Sequence, residues 1–570
     1  MTMVAIRPSM SVYSDGRGRR GAIKAASTRL GLLTGNGGDI LLNDHSVYPI
    51  QRDASETGDD MTSAVDLLIV GGGINGAGIA RDAAGRGLST MLVEQDDLAA
   101  HTSSASTKLI HGGLRYLEYH EFRLVRESLQ ERERLMAIAP HLIAPLDFFL
   151  PHAAGQRPAW MIRAGLFLYD HLARRRRLPA SRAVSAPHHP GFAVLQPGYR
   201  RGFTYADCRV DDSRLVVLNA LDAAERGATI RPYTRLLSAR RAGAVWQAEI
   251  EDRASGARTT VAARAIVNAA GPWVAELLET RLGRHDADRI RLVKGSHIIV
   301  PRRFDGDYAF ILQNPDGRVL FAIPYQDRFT LIGTTDIPYE GHPADVAISE
   351  QEVAYLCANI SDYFRTPVTP ADVVHSFSGL RALHDDGAAS ASAVTRDYLL
   401  ALDGGGGEAP LLSVFGGKIT TYRRLAEHAM AKLLPALGRP VAPGWTAQAP
   451  LPGGDIGDGC FDAWSDALVA SRPGLPPALL RRLGKAYGTR VETLLGGAAT
   501  MDDLGADLGA GLTEAEVDYL AAHEWARRPD DILWRRSKLG LHVPPGTAAL
   551  VAQRLDRIAA PPLSPQGKNP

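Results

Sequence analysis

Cysteine is scarce in this sequence. Its three residues, Cys208, Cys357 and Cys460, stand far apart with no C-x-x-C pair. That argues against a disulfide framework and a thiolate zinc site, so no metal is expected, and it fits a reducing cytosol. Net charge is scarce too. Lys and Arg number 64 against 63 Asp and Glu, a net +1, so nucleic acid is not expected as a partner and any anion site must be local. Long hydrophobic runs are missing as well. No window of about 18 consecutive apolar residues occurs, and no basic-then-apolar signal pattern opens the chain, so neither a spanning helix nor Sec secretion is expected. Membrane contact, on this reading, is peripheral.

What is present is the balance of a globular protein, 45% hydrophobic and 22% charged. At 570 residues the chain is too long for one core, so two or three domains are expected. Residues 1–62 carry scattered Gly, Ser and Arg without a sustained period and read as a disordered extension, with Met61 a candidate true start.

Asp66–Val70 is apolar and bounded by glycines, as a strand buried on both faces of a parallel sheet should be. Ala265–Ala270 and Leu412–Phe415 read as two further buried strands, each running into glycine. Their wide separation predicts one nucleotide-binding domain interrupted by a substrate domain. From Phe122 the apolar positions Val125 and Leu129 recur at helical spacing, which predicts an amphipathic helix with a solvated charged face. Beyond Pro440, Pro443 and Pro450 the pattern turns helical and ends in a Pro-rich tail.

Gly71-Gly72-Gly73-Ile74-Asn75-Gly76 satisfies G-x-G-x-x-G directly after the first strand. Glycines there let the backbone turn tightly and approach a pyrophosphate, whose charge meets the N–H groups at a helix N-terminus. The next strand, Ser89–Val93, ends in Glu94, near the spacing expected of an acid that binds ribose hydroxyls. These residues alone do not separate FAD from NAD, which share the adenosine diphosphate half.

The segment Thr102–Glu118 resembles the flavin-contacting region of the aerobic, FAD-dependent glycerol-3-phosphate dehydrogenases. So do Val293–His297, Ile332–Asp336, Ser378–Arg381, Thr395–Tyr398, Phe415–Tyr422 and Leu533–Leu541, in the same order. The resemblance implies an α/β fold with a two-dinucleotide-type, Rossmann-like FAD domain similar to the core of D-amino acid oxidase. A β-rich substrate domain would be inserted in it, and an α-helical domain would follow. The FAD-dependent oxidoreductase domain is expected over 63–445, with FAD-binding parts at 63–145, 203–290 and 390–445 and substrate-binding parts at 146–202 and 291–389. A helical domain is expected over 446–560 and a tail over 561–570. Where relatives read Arg-Pro-Leu, this chain has Arg381-Ala382-Leu383, which is expected to loosen the backbone beside Arg381.

The implied activity is oxidation of sn-glycerol 3-phosphate to dihydroxyacetone phosphate, with electrons passed through FAD to a membrane quinone. By resemblance Arg115, Tyr116, Arg381, Arg396 and Lys418 approach the substrate. Arginine suits a phosphate because its planar fork meets oxygens in pairs, while lysine adds a point charge. His111 is the favoured base, since an imidazole accepts a proton near neutral pH; the alternative is that it orients the flavin. Arg381 then stabilises the developing alkoxide, and Lys418 stands beside the flavin as it gains negative charge. The cofactor-binding set is Gly71, Gly73, Ile74, Asn75, Gly76, Glu94, Thr102, Ser103, Ser104, Lys108, Leu109, His111, Gly271, Gly416, Gly417, Lys418 and Thr420.

A quinone acceptor implies peripheral attachment to the cytoplasmic membrane, at an anionic surface. Trp160–Tyr169, followed by Arg174–Arg177, is the candidate contact, although a core-packed helix whose arginines complement its C-terminal dipole is the simpler reading. Monomer and homodimer both stay open. Competing functions are a glycerophosphate oxidase that reduces oxygen, an amine oxidase on the same fold, and a non-catalytic flavin-binding protein.

Overall fold

The computed structural model describes residues 63–153, 156–284, 290–384, 397–457 and 460–560. The expected extension over 1–62, the tail over 561–570 and Arg396 lie outside the described residues.

An eight-stranded sheet holds the predicted strands side by side, in the order Leu399–Gly405, Glu408–Phe415, Arg258–Asn268, Ser63–Val70, Thr90–Val93, Thr229–Arg231. The four central pairings from Glu408–Phe415 to Thr229–Arg231 are parallel. Along Ser63–Val70 the side chains alternate between two cores: Leu67 and Ile69 enter one, Leu68 and Val70 the other. The continuous apolar run follows from that two-sided burial. Helices Ile74–Gly85, Asp212–Glu225 and Tyr422–Ala436 pack together although hundreds of residues separate them in the chain. The eight-stranded sheet and its helices are thus assembled from segments hundreds of residues apart.

Between those pieces runs a ten-stranded sheet built around Ile290–Pro301, Phe329–Gly333, Val319–Tyr325, Tyr308–Gln313, Ile143–His152 and Arg201–Val210. Arg201–Val210 pairs with Ile143–His152 throughout its length, so the expected boundary at 203 falls inside a strand of this second sheet. His375–His384 lies against Ile290–Ile299 over ten register pairs. That ladder pairs Arg381 with Val293 and Ala382 with Leu292.

The C-terminal helices Phe461–Ser471, Pro477–Tyr487, Glu514–His523 and Thr547–Ala559 surround their own core of Leu480, Leu483, Val491, Val517, Leu520 and Ile532. Buried ion pairs tie these helices to the part built on the eight-stranded sheet. Asp97 meets Arg535 (2.6 Å) and Arg536 (2.6 Å), Arg214 meets Glu524, and Lys538 meets Asp212 (3.1 Å).

Two expectations fail on this structure. Helix Phe122–Ile138 does not solvate its whole charged face: Glu131 and Arg132 are buried, Glu131 against Arg423 (2.7 Å) and Arg132 against Asp207. Nor is helix Ala159–His171 packed all round. Leu166 and Tyr169 enter the core while Trp160, Met161, Phe167 and Leu168 face outward. The arginines Arg174–Arg177 follow the helix rather than close its last turn. Among the described residues no helix is long and apolar enough to cross a membrane.

Candidate active site

A cavity of about 480 Å³ runs from the end of strand Ser63–Val70 to the second sheet. At its nucleotide end the backbone does the shaping. Gly71 adopts φ +117°, and a Cβ there would lie 2.4 Å from the Ala269 carbonyl oxygen. A Cβ on Gly76 would lie 1.9 Å from the Gly71 carbonyl oxygen, so that glycine permits the turn to close against the helix and does not itself line the cavity. Helix Ile74–Gly85 therefore starts at the cavity wall with its N–H groups turned toward an anion site. The Ser103 hydroxyl accepts from the Ile74 N–H (3.0 Å) at this point.

Glu94 stands as expected at the end of the next strand. Its Oε2 accepts from the Gly72 N–H (2.7 Å) and its Oε1 from the Asp96 N–H (2.9 Å). Burial pushes its carboxyl above the usual carboxylate range against the pull of those two donors. Two oxygens fixed by backbone donors, each with a second lone pair, suit a vicinal diol.

The other end is made of side chains. Arg115, Tyr116, His111, Arg381 and Lys418 all line it, brought from three distant segments. His111 sits where its backbone N–H donates to Thr420 Oγ1 (3.2 Å). The next N–H, that of Gly112, donates to the Tyr169 hydroxyl (2.8 Å), which in turn donates to Asp207 (2.8 Å), itself paired with buried Arg132. The segment carrying His111 is thereby held from beneath by a closed polar network. Arg381 Nη1 donates to Asp336 (2.8 Å), which fixes one arm of its fork. The Lys418 ammonium lies 3.8 Å from the Tyr116 ring centroid, a cation–π contact that aims both at the same space.

Of the other predicted residues, Gly71, Gly73, Ile74, Asn75, Thr102, Ser103, Leu109, Gly271, Gly416, Gly417 and Thr420 line the cavity too. Asn75 Nδ2 donates to the Gly416 carbonyl (3.1 Å), locking the glycine turn before Lys418 to the nucleotide helix. Ser104 and Lys108 are not at this wall. Lys108 Nζ is buried against Asp212 (2.9 Å) and the Ser104 carbonyl (2.7 Å), so its charge serves the core beneath the site. Arg396 is outside the described residues.

Three wall residues were given no role by sequence reasoning. His297 Nε2 is 3.0 Å from Thr107 Oγ1, its ring stacks on Phe377 at 4.9 Å, and burial with Lys108 and Arg381 nearby pushes its pKa down to about 3. It is a neutral imidazole at working pH. Asp336 anchors Arg381, and Arg318 adds a further cation to the wall. His297 and Asp336 both sit in blocks that carried the resemblance, which was the available signal.

A FAD-dependent oxidoreductase family model matches residues 66–423, and the model for the C-terminal domain of alpha-glycerophosphate oxidase matches 445–561. The chain is 55% identical over 495 residues to a glycerol-3-phosphate dehydrogenase of Pseudomonas aeruginosa, covering 87% of this chain and 96% of that protein. It is 49% identical to the aerobic glycerol-3-phosphate dehydrogenase of Escherichia coli (86% and 97%) and 50% identical to a D-erythritol 1-phosphate dehydrogenase of Brucella abortus (86% and 97%). Among solved structures, glycerol-3-phosphate dehydrogenase from Bacillus halodurans complexed with FAD superposes with a TM-score of 0.67 at 28% identity, over 88% of this chain and 90% of that one. The glycine cradle and the diol-suited carboxylate fit the cofactor of that family. The chain belongs to the FAD-dependent oxidoreductases, with FAD as its cofactor and the C-terminal domain of alpha-glycerophosphate oxidase appended.

Proposed function

We propose that the protein oxidises sn-glycerol 3-phosphate to dihydroxyacetone phosphate and passes the electrons to a membrane quinone, as a peripheral protein of the cytoplasmic membrane. The observation that carries this reading is that Arg115, Arg381 and Lys418, from separate segments, line the same cavity as His111. Cations lining a cavity of a chain whose net charge is only +1 suit a small anionic substrate.

FAD supplies the acceptor for the hydride leaving C2. The chain's own residues bind the phosphate, hold the alcohol and take the hydroxyl proton. Arginine forks grip phosphate oxygens, and Arg381, steadied by Asp336, opposes the charge that develops on the C2 oxygen. His111 takes the proton. His297, pushed down to about 3, is too weak a base for that task at neutral pH and instead shapes the wall.

Turnover with sn-glycerol 3-phosphate and a soluble short-chain quinone tests the reading. Quinone reduction with little peroxide in air supports it. Peroxide equal to product identifies an oxidase instead, and a higher kcat/KM for D-erythritol 1-phosphate would assign the longer polyol phosphate.

A further inference from the structure

Between strands Thr90–Val93 and Leu109–Ile110 the chain runs through residues 94–108 without a helix or a strand. A loop of that length with no ladder of its own has to be held by something else. This one lies along the active-site cavity: Glu94, Ala99, His101, Ser103, Ser106 and Thr107 all line it. Neutral hydrogen bonds hang its middle on neighbours, with Thr102 Oγ1 donating to the Leu380 carbonyl (2.8 Å) and the Ser103 hydroxyl accepting from the Ile74 N–H (3.0 Å). Near each end it is held by charge.

Both charged grips come from one short stretch of the C-terminal part, residues 535–538. Near the first end, Arg536 meets Asp97 with both arms of its fork (2.6 and 2.8 Å), and Arg535 adds a third bond (2.6 Å). Asp97 follows Asp96, whose N–H fixes Glu94, and stands two residues before Ala99, whose N–H donates to the Gly72 carbonyl (3.1 Å). At the other end Lys538 Nζ donates to Asp212 Oδ1 (3.1 Å) and to the Ser213 hydroxyl (2.6 Å). Asp212 Oδ2 in turn accepts from the Ser106 hydroxyl (2.7 Å) and the Lys108 ammonium (2.9 Å). Asp97, Asp212, Arg536 and Lys538 are all buried. Burying four ions is costly, and adhesion alone is served as well by apolar side chains such as Leu480 and Leu520, which fill the core of the C-terminal helices.

We infer that residues 535–538 are a clamp on the cofactor. Arg535 and Arg536, acting through Asp97, and Lys538, acting through Asp212, are positioning residues that hold the loop over 94–108 along the cavity that takes FAD. Neither these three cations nor the two carboxylates they grip are among the residues lining that cavity. They set how tightly FAD is kept and how it is presented by fixing the loop behind it. The C-terminal helices thereby become part of the cofactor site, a role separate from the choice of alcohol or of electron acceptor.

The test is the rate of FAD release from the holoprotein, read as the rise of free-flavin fluorescence, with the visible flavin spectrum and the melting temperature measured beside it. Two variants weaken the clamp, Lys538→Met and Arg535→Gln. A third, Arg482→Met, breaks a pair with buried Glu516 (2.7 Å); its partners Glu516 and Gly511 both lie in the C-terminal part. The expected result is FAD release about tenfold faster in Lys538→Met and about threefold faster in Arg535→Gln, with an altered flavin band in both. With FAD in excess, kcat of Lys538→Met should still be about tenfold low while KM for sn-glycerol 3-phosphate holds. Arg482→Met should melt at a lower temperature yet release FAD as the parent does. Arg535→Gln leaves Asp97 paired with Arg536, so it reports even where Lys538→Met does not fold. Parent-like FAD release and spectrum in the folded clamp variants overturn the inference. So does equally fast release from Arg482→Met, which would reduce the effect to a general loosening. Release is read without substrate, so the outcome is independent of which alcohol the protein oxidises.

Discussion

The two ends of the cavity are built on different principles. The nucleotide end is a backbone object: Gly71 and Gly76 are there because a Cβ at either would collide with a carbonyl oxygen, and Glu94 is pinned by two backbone donors. The reacting end is a side-chain object, in which Arg115, His111, Arg381 and Lys418 arrive from separate segments and are aimed by neighbours such as Asp336, Tyr116 and Tyr169. Damage at the first end should therefore abolish the holoprotein, whereas damage at the second should spare the flavin and slow the chemistry.

The largest effect is expected from Gly76→Ala. Its methyl would sit 1.9 Å from the Gly71 carbonyl oxygen, so the turn cannot close and the purified protein should lack flavin absorbance. A yellow Gly76→Ala protein would break the comparison. Arg381→Lys comes next: the fork that reaches both Asp336 and the cavity becomes a single ammonium. Flavin content should hold while kcat/KM falls by roughly a thousandfold, about 4 kcal/mol of transition-state stabilisation. Steady-state kinetics beside flavin quantitation would check it.

Tyr169→Phe removes the hydroxyl that links the Gly112 N–H to Asp207 without emptying the space its ring fills. Leaving a buried donor and a carboxylate short of a partner costs about 1–3 kcal/mol. The expected outcome is a kcat about tenfold lower with KM little changed, because the residue positions His111 and does not touch substrate.

The smallest effect at neutral pH concerns two histidines. Burial holds both His297 and His141 at about 3, below the value near 6.5 of an unfolded histidine. Between those values the unfolded chain binds the proton and the folded one does not. The stability they support is complete above about 6.5 and is lost as pH falls toward 3. His141→Gln and His297→Gln should each flatten the acid limb of a pH–melting curve, and only His297→Gln, at the cavity wall, should also lower turnover.

How much of this could be read in the sequence follows from the same contrast. The strand Asp66–Val70, the glycine turn and Glu94 were legible because backbone geometry restricts which residues a position accepts. An arginine carries no such mark. Arg115 and Arg381 were picked out only because their surrounding blocks resembled a known family. Glu131 and Arg132 looked like solvent-facing residues, since their partners Arg423 and Asp207 are 292 and 75 residues away. Lys108 was assigned to the cofactor for its neighbours in sequence, while Asp212 draws its ammonium into the core. Helix Ala159–His171 was singled out in the sequence but read more simply as core-packed, because periodicity reports that a helix has apolar faces without reporting how many are covered.

The most direct measurement is to add sn-glycerol 3-phosphate to the purified, FAD-loaded protein without oxygen and to follow the flavin absorbance near its visible maximum. The account predicts prompt bleaching, with dihydroxyacetone phosphate formed in equal amount to the flavin and with bleaching slowed by roughly a thousandfold in Arg381→Lys. A flavin that stays yellow in the presence of saturating substrate would contradict it.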